Sequence, residues 1–277
     1  LLNEARTKLT SAGVVHAAIE AEWLIESASG LAREDIISAD PDLDAAAEAR
    51  LRALVERRSM GEPLQYVTGV AGFRHLELMV GPGVFIPRPE TELVAELAMS
   101  HLPSDGVLVD AGTGSGAIAL SIAKERVDAR VWATELSEDA LGWATKNRDA
   151  LGLDVELVKS DLLDELPAEL AGHVDVIVGN MPYVPLEEAE FLPVDVVQHE
   201  PEVALFGSTD GLAVIERLAH QSLRWLRPGG WLVLEIGDRQ GARVQAMLGR
   251  LHYEQVAMHR DLAGRERIVD GSSPASL

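Results

Sequence analysis

The sequence predicts an α/β protein, a mostly parallel sheet with helices on both faces, preceded by a separate helical segment. Three observations predict it. From Val107 onward, short apolar runs alternate with helix-period segments, the rhythm of strand–helix–strand units. Residues 1–70 show helical spacing alone, and residues 61–90 are crowded with glycine and proline. The chain has 277 residues, enough for one large domain or two ordinary ones and for a sizeable core.

Each element follows from its residues. Val14, Ala18, Ala21 and Ile25 recur at helical steps, and Ala47, Leu51, Leu54 and Val55 form a second stripe. Ser29-Gly30 and Asp40-Pro41 punctuate between them. Arg50, Arg52, Arg57 and Arg58 fall on the second stripe's polar side, where a solvated face is expected. Between the glycines and prolines of residues 61–90, Phe73, His75, Glu77 and Met79 alternate with Arg74, Leu76, Leu78 and Val80, which predicts a hairpin linker. Thr91 to His101 returns to helix.

The strands then come in order. Val107-Leu108-Val109 closes on Asp110, Val131 to Ala133 leads to Glu135, and Val155 to Val158 leads to Asp161. Val174 to Val178 leads to Gly179-Asn180, and Trp231 to Ile236 follows the turn at Arg227-Pro228-Gly229-Gly230. Helices are predicted over Ala117–Lys124, Ser137–Ala150 with Ser137 as N-cap, and Leu212–Leu226. Tyr253–Met258 and Arg267–Val269 suit a closing antiparallel pair.

Composition excludes several classes. There is no cysteine, so disulfides and thiolate metal sites are ruled out. No apolar run approaches the length of about 18 residues needed to span a membrane. The first residues lack a signal-peptide pattern, and a cytoplasmic protein is expected. Leu1 stands where an initiator Met would, which leaves room for a short preceding leader. The net charge is −21, from 24 basic and 45 acidic residues. Duplex DNA is bound through clustered cations, so stable DNA binding is not expected. The histidines are scattered without metal-ligand spacing, and no metal site is expected.

The chemistry gathers at two places. Asp110-Ala111-Gly112-Thr113-Gly114-Ser115-Gly116 sits where a strand turns into a helix. Glycines there permit a tight turn and close approach of a ligand to the backbone. With Glu135 ending the next strand, suited to a ribose diol, the loop predicts a nucleoside-type cofactor, nicotinamide dinucleotide or S-adenosylmethionine alike. Three further features favour S-adenosylmethionine. Asp110 stands two residues before the first glycine, near the ammonium end of such a ligand. Asp161 ends the third strand, where it can accept from an adenine amino group. Asn180-Met181-Pro182-Tyr183 ends the fourth, facing the same crevice at the carboxyl edge of the sheet.

Taken in order, these segments resemble the HemK/PrmC release factor glutamine methyltransferases over nearly the whole chain. Glu62-Pro63-Leu64-Gln65-Tyr66 and Ile86-Pro87-Arg88-Pro89-Glu90-Thr91-Glu92 match the family's joining segment. Asp110–Gly116 matches its cofactor loop and Asn180–Tyr183 its substrate tetrapeptide. Further matches are Glu200-Pro201, Ala204-Leu205, Asp210-Gly211-Leu212, Glu235-Ile236-Gly237 with Gln240, and Asp261-Leu262 with Gly264 and Arg267. One departure stands out. The family pattern is Asn-Pro-Pro-Tyr, whereas Met181 occupies the second place here. Met181 precedes Pro182, so it is still pushed toward extended backbone, and it keeps its carbonyl.

The resemblance implies a Rossmann-like S-adenosylmethionine-dependent methyltransferase sheet with a small helical N-terminal domain joined by a β-hairpin linker. It divides the chain into a substrate-docking domain at 1–70, the linker at 71–90 and the methyltransferase domain at 91–277. It implies methylation of the glutamine side-chain amide in the Gly-Gly-Gln motif of class-1 peptide chain release factors. The Asn180 side-chain oxygen and the Met181 carbonyl would accept the two amide N–H bonds, Pro182 would hold the turn, and Tyr183 would pack on the glutamine. Gly112, Thr113, Gly114, Ser115 and Gly116 would line the cofactor's methionine and ribose, Asn180 would border the same ligand, Glu135 would bind the ribose, and Asp161 with Leu162 would flank adenine. The rival reading is an adenine-N(6) methyltransferase on nucleic acid, which shares the tetrapeptide chemistry. The net charge and the lack of a base-recognition domain weigh against it.

Overall fold

A computed structural model describes residues 1–39 and 42–275. The predicted break at Asp40-Pro41 lies outside the described residues. The chain divides into two compact units, Leu1–Val70 with Pro193–His199, and Ala71–Leu192 with Glu200–Leu277.

The first unit is helical: α1 Leu2–Ser11, α2 Ala17–Ser29, α3 Arg33–Ala39, α4 Ala45–Ser59 and α5 Leu64–Thr68. Leu9, Ala21, Leu24, Ile25, Leu51 and Val55 meet in its core. The buried face of α2 runs through Ala17, Ala21, Leu24 and Ala28, while Ala18 is exposed. Ala21 and Ile25 of the predicted stripe are buried and Val14 packs against the same core, so the stripe holds except at Ala18, and Ala17, Leu24 and Ala28 widen it. Asp44 caps α4 by accepting from Ala47 N. The α4 arginines divide: Arg50 and Arg52 are exposed, as on a solvated face, while Arg57 and Arg58 are half-buried in ion pairs. Arg50 donates to the Ala28 carbonyl, Arg57 grips Glu62, and Arg58 pairs with Glu20 at 2.6 Å.

The second unit is built on a sheet. β1 Val70–Phe73 and β2 Leu76–Met79 form a hairpin that turns at Arg74 and His75. Leu76, Leu78 and Val80 turn inward on the return strand, and Phe73 on the outgoing one. Then follow α6 Glu92–His101, β3 Val107–Ala111, α7 Ala117–Glu125, β4 Arg130–Glu135, α8 Glu138–Leu151, β5 Val155–Lys159 and β6 Val174–Gly179. Ser137 caps α8 by accepting from Ala140 N. After β6 come β7 Val184–Pro185, α9 Val194–His199 (part of the first unit), α10 Glu202–Leu205 and β8 Phe206–Ser208. The chain closes with α11 Ala213–Trp225, β9 Leu226–Glu235, α12 Gly241–Arg250, β10 Glu254–Arg260 and β11 Glu266–Ser272.

The large sheet has the order β10-β11-β9-β6-β3-β4-β5. The five strands from β9 to β5 are parallel, and β10 and β11 add antiparallel at one edge. Both faces are covered, as parallel sheets require. Val107, Val109, Ile177, Leu232 and Leu234 meet the residues of α11 and α12 on one side. Leu108, Val176, Val178, Val131 and Val233 meet those of α6 and α7 on the other. The strand order reverses between β3 and β6, and ligands bind at the carboxyl ends beside such a reversal. Register makes that edge one row: Leu234 pairs with Gly179, Gly179 with Ala111, and Ala111 with Thr134.

Candidate active site

The residues that follow this row are Glu235, Asn180, Gly112 and Glu135, each leaving the end of its own strand. The glycine loop and the tetrapeptide thus start from paired positions on adjacent strands. They also touch. The Met181 side chain is buried to 3% exposure. Its Cε lies 2.7 Å from where a Cβ on Gly112 would stand. A side chain at 112 would collide with the tetrapeptide.

The loop is held by its near neighbours. Gly112, Gly114 and Gly116 all have positive φ, and a Cβ on Gly114 would project into open space. Thr113 N donates to the Thr134 carbonyl at 2.9 Å, which ties the loop to β4. The Asp110 carboxyl is 1% exposed. Its Oδ2 accepts from Thr113 Oγ1 at 2.6 Å and from Ala119 N at 3.1 Å. Asp110 therefore braces the loop and the start of α7 from inside, rather than standing open toward a ligand's ammonium group. Burial pushes its carboxyl up to about 7, against those two hydrogen bonds. Ser115 is buried, and its carbonyl accepts from Asn147 Nδ2 at 2.9 Å.

Glu135 ends β4 half-buried. It accepts from Gly114 N at 2.9 Å and Ser137 N at 2.8 Å, one bond to each oxygen. A carboxylate offers about four acceptor positions, so two remain for a diol. Open space at Gly114, positive-φ glycines that turn the loop tightly, and a carboxylate with spare acceptors fit the ribose and methionine portions of S-adenosylmethionine. Asp161 lies farther out, its side chain 45% exposed and paired with Arg217 at 2.8 Å. Leu162 follows in the left-handed region, with its side chain in the core.

The acceptor loop is held from far along the chain. Asn180 Nδ2 donates to Thr91 Oγ1 at 3.2 Å, and Thr91 Oγ1 donates to Glu235 Oε2 at 2.6 Å. The Tyr183 hydroxyl donates to Glu235 Oε1 at 3.2 Å. Gln240 Nε2 donates to the Tyr183 carbonyl at 3.0 Å, while Gln240 Oε1 accepts from Gly237 N. A Cβ on Gly211 would stand 2.1 Å from the Tyr183 carbonyl oxygen, so glycine is needed for this approach. Glu235 is fully buried, and burial pushes its carboxyl up to about 7, opposed by the Thr91 hydrogen bond and the Arg267 charge. Burial also drives the Tyr183 phenol well above its ordinary value, with the Glu235 charge adding to the push.

Residue reasoning on the sequence assigns no role to Thr91, Glu235 or Gln240. Their only signal is membership in the matched family segments. The short pairing of β7 with β8, which anchors the chain leaving Tyr183, is also unpredicted. Among the described residues, no group of three or more His, Asp or Glu is placed to hold a metal ion. No helix among them is long and apolar enough to cross a membrane.

Comparison with known proteins bears on this geometry. Residues 1–69 match the family described as PrmC N-terminal domain, and residues 75–199 match the methyltransferase small domain. The chain is 43% identical over 271 residues to a release factor glutamine methyltransferase of Streptomyces coelicolor, covering 96% of this chain and 94% of that one. It is 44% identical over 272 residues to the enzyme of that name from Mycolicibacterium smegmatis, covering 97% and 95%. Among solved structures it is similar to a methyltransferase from Pyrococcus furiosus, with a TM-score of 0.56 at 18% identity, covering 82% and 98%. That last likeness speaks to the fold.

Proposed function

The chain belongs to the release factor glutamine methyltransferase family, and from that premise we propose how its residues carry the reaction. It is an S-adenosylmethionine-dependent methyltransferase that acts on the glutamine side-chain amide. The acceptor is the Gly-Gly-Gln motif of class-1 peptide chain release factors, met in the cytoplasm. The observation that carries the reading is the pairing of Ala111 with Gly179, from which the cofactor loop and the acceptor tetrapeptide emerge side by side.

An amide nitrogen is a weak nucleophile, since its lone pair is delocalised into the carbonyl. When bound, S-adenosylmethionine supplies a methyl group on a sulfonium, already activated for transfer. The protein's work is positioning and polarisation. Asn180 Oδ1 and the Met181 carbonyl accept the two N–H bonds of the glutamine amide. Both acceptors would favour the positive charge that develops on nitrogen as its lone pair attacks the methyl carbon; the carbon–sulfur bond would break as the carbon–nitrogen bond forms, and one N–H proton would then be lost. Tyr183, pinned at its hydroxyl and its carbonyl, walls the glutamine side chain, and Pro182 limits the turn. Gly112–Gly116 hold the methionine and ribose portion, Glu135 takes the ribose hydroxyls, and Asp161 with Leu162 borders the adenine. Residues 1–70 dock the protein substrate, and residues 71–90 link them to the methyltransferase domain at 91–277.

Labelled cofactor tests the reading. Enzyme incubated with methyl-labelled S-adenosylmethionine and either a release factor or DNA should label the protein alone. Label on adenine in DNA, with none on the release factor, would transfer the site to the rival nucleic-acid reading.

A further inference from the structure

The buried Glu235 makes no contact with the acceptor in the mechanism above, yet it holds Tyr183 of the acceptor loop directly and reaches Asn180 through Thr91. We propose that Glu235, acting through the Thr91 hydroxyl, sets which end of the Asn180 amide faces the substrate. The proposal rests on the reading of Asn180 as an acceptor for the glutamine N–H, and it makes Thr91 and Glu235 positioning residues.

The argument is one of hydrogen-bond polarity. An ionised carboxylate only accepts. Thr91 Oγ1 at 2.6 Å and the Tyr183 hydroxyl at 3.2 Å must therefore both point their protons at Glu235. The Thr91 hydroxyl has a single proton, so what it offers Asn180 at 3.2 Å is a lone pair. Only the NH2 end of the Asn180 amide satisfies it. The carbonyl end is thereby turned away from Thr91 and kept free to accept. The reversed amide would set oxygen against oxygen at Thr91 and would present N–H to the substrate's own N–H.

Protonation of Glu235 removes the constraint. A neutral carboxyl both donates and accepts, so the Thr91 hydroxyl can turn toward Asn180 and the reversed amide becomes satisfiable. The groups facing Glu235 are Thr91 and Glu90 ahead of α6, Tyr183 of the acceptor loop and Arg267 of β11. Burial outweighs the Arg267 cation and the two hydroxyl donors, and Glu90 adds to the upward push, so the carboxyl titrates at about 7. The productive form is the deprotonated one. The transfer rate should therefore rise with pH through neutrality.

The test compares Thr91→Val, Thr91→Ser, Glu235→Gln and Asn180→Ala in the full chain. It measures kcat and KM on a release factor across the neutral pH range, with S-adenosylmethionine affinity by calorimetry as the check of folding. Thr91→Val should lose roughly tenfold in kcat, the worth of one hydrogen bond, with cofactor affinity unmoved. Thr91→Ser, which keeps the hydroxyl, should recover most of that loss. Glu235→Gln should flatten the rising limb of the pH profile. If the limb belonged instead to Asp110, also pushed to about 7, it would survive in that variant, so the comparison separates the two carboxyls. Equal rates for Thr91→Val and Thr91→Ser, or a limb that survives Glu235→Gln, would overturn the relay. If Asn180→Ala is inactive while Thr91→Val works at full rate, the relay alone falls. If Asn180→Ala is fully active, the reading of the acceptor site falls with it.

Discussion

The cofactor loop and the acceptor loop leave neighbouring strands from paired positions, but they are secured in opposite ways. The cofactor loop is braced by residues close in sequence: Asp110 reaches Thr113 and Ala119, and Glu135 reaches Gly114 across one helix. The acceptor loop is braced by Thr91, Glu235 and Gln240, brought in from the segment before α6, the end of β9 and the turn that follows it. A loop built from local bonds forms as soon as its strand and helix meet. A loop built from distant bonds is completed only when the whole sheet has assembled. Binding the cofactor and orienting the acceptor are therefore separable functions of one sheet edge.

Substitutions should break the two loops independently. The largest effect is expected from Asn180→Ala. Removing one preorganised polar group at a reacting centre costs about 10²–10³ in rate. Methyl transfer should fall by that much while calorimetric affinity for S-adenosylmethionine stays at the wild-type value. An equal loss in cofactor affinity would mean that the loops are not separable.

Glu135→Ala is the converse experiment. Hydrogen bonds to a charged group are worth about 1.5–3 kcal/mol, so cofactor affinity should weaken tenfold or more. The KM for release factor should stay put, because no acceptor-loop bond passes through Glu135. Unchanged calorimetric affinity would take Glu135 out of the cofactor site.

Met181→Pro should have the smallest effect, and it probes the contact between the loops. Proline keeps the carbonyl that accepts the substrate and reduces the ordering cost by about 0.4–1 kcal/mol where its φ is compatible. It also gives up part of the roughly 1.5–3 kcal/mol that a buried methionine side chain contributes. The rate should hold or rise by a few-fold, and the melting temperature should drop by a few degrees. Loss of activity in a folded Met181→Pro protein would mean that the thioether against Gly112, or the Met181 N–H, takes part in catalysis.

The same contrast explains what the sequence makes legible. The glycine loop and Glu135 can be read directly, since glycine spacing, a strand end and a helix start all lie within a short stretch. The succession of strands along the chain follows from the alternation of apolar runs. The width of the buried face of α2 is less legible: helical spacing finds Val14, Ala21 and Ile25, but only assembled neighbours add Ala17, Leu24 and Ala28 and leave Ala18 exposed. The α4 arginines read as a solvated face, which holds at Arg50 and Arg52, but nothing local reveals that Glu20 and Glu62 wait for Arg58 and Arg57. The Thr91–Glu235 bond spans 144 residues and has no periodic signature. It can be seen in sequence only as two matched segments whose purpose is silent until the fold joins them.

The central claim is that this sheet edge delivers a methyl group to a glutamine amide held by Asn180. Tandem mass spectrometry of a release factor tests it most directly, after incubation with S-adenosylmethionine and either wild-type or Asn180→Ala enzyme. The account predicts one added methyl on the side-chain nitrogen of the Gly-Gly-Gln glutamine with the wild type, and almost none with the variant. A methyl group on any other residue, or equal modification by both enzymes, would contradict it.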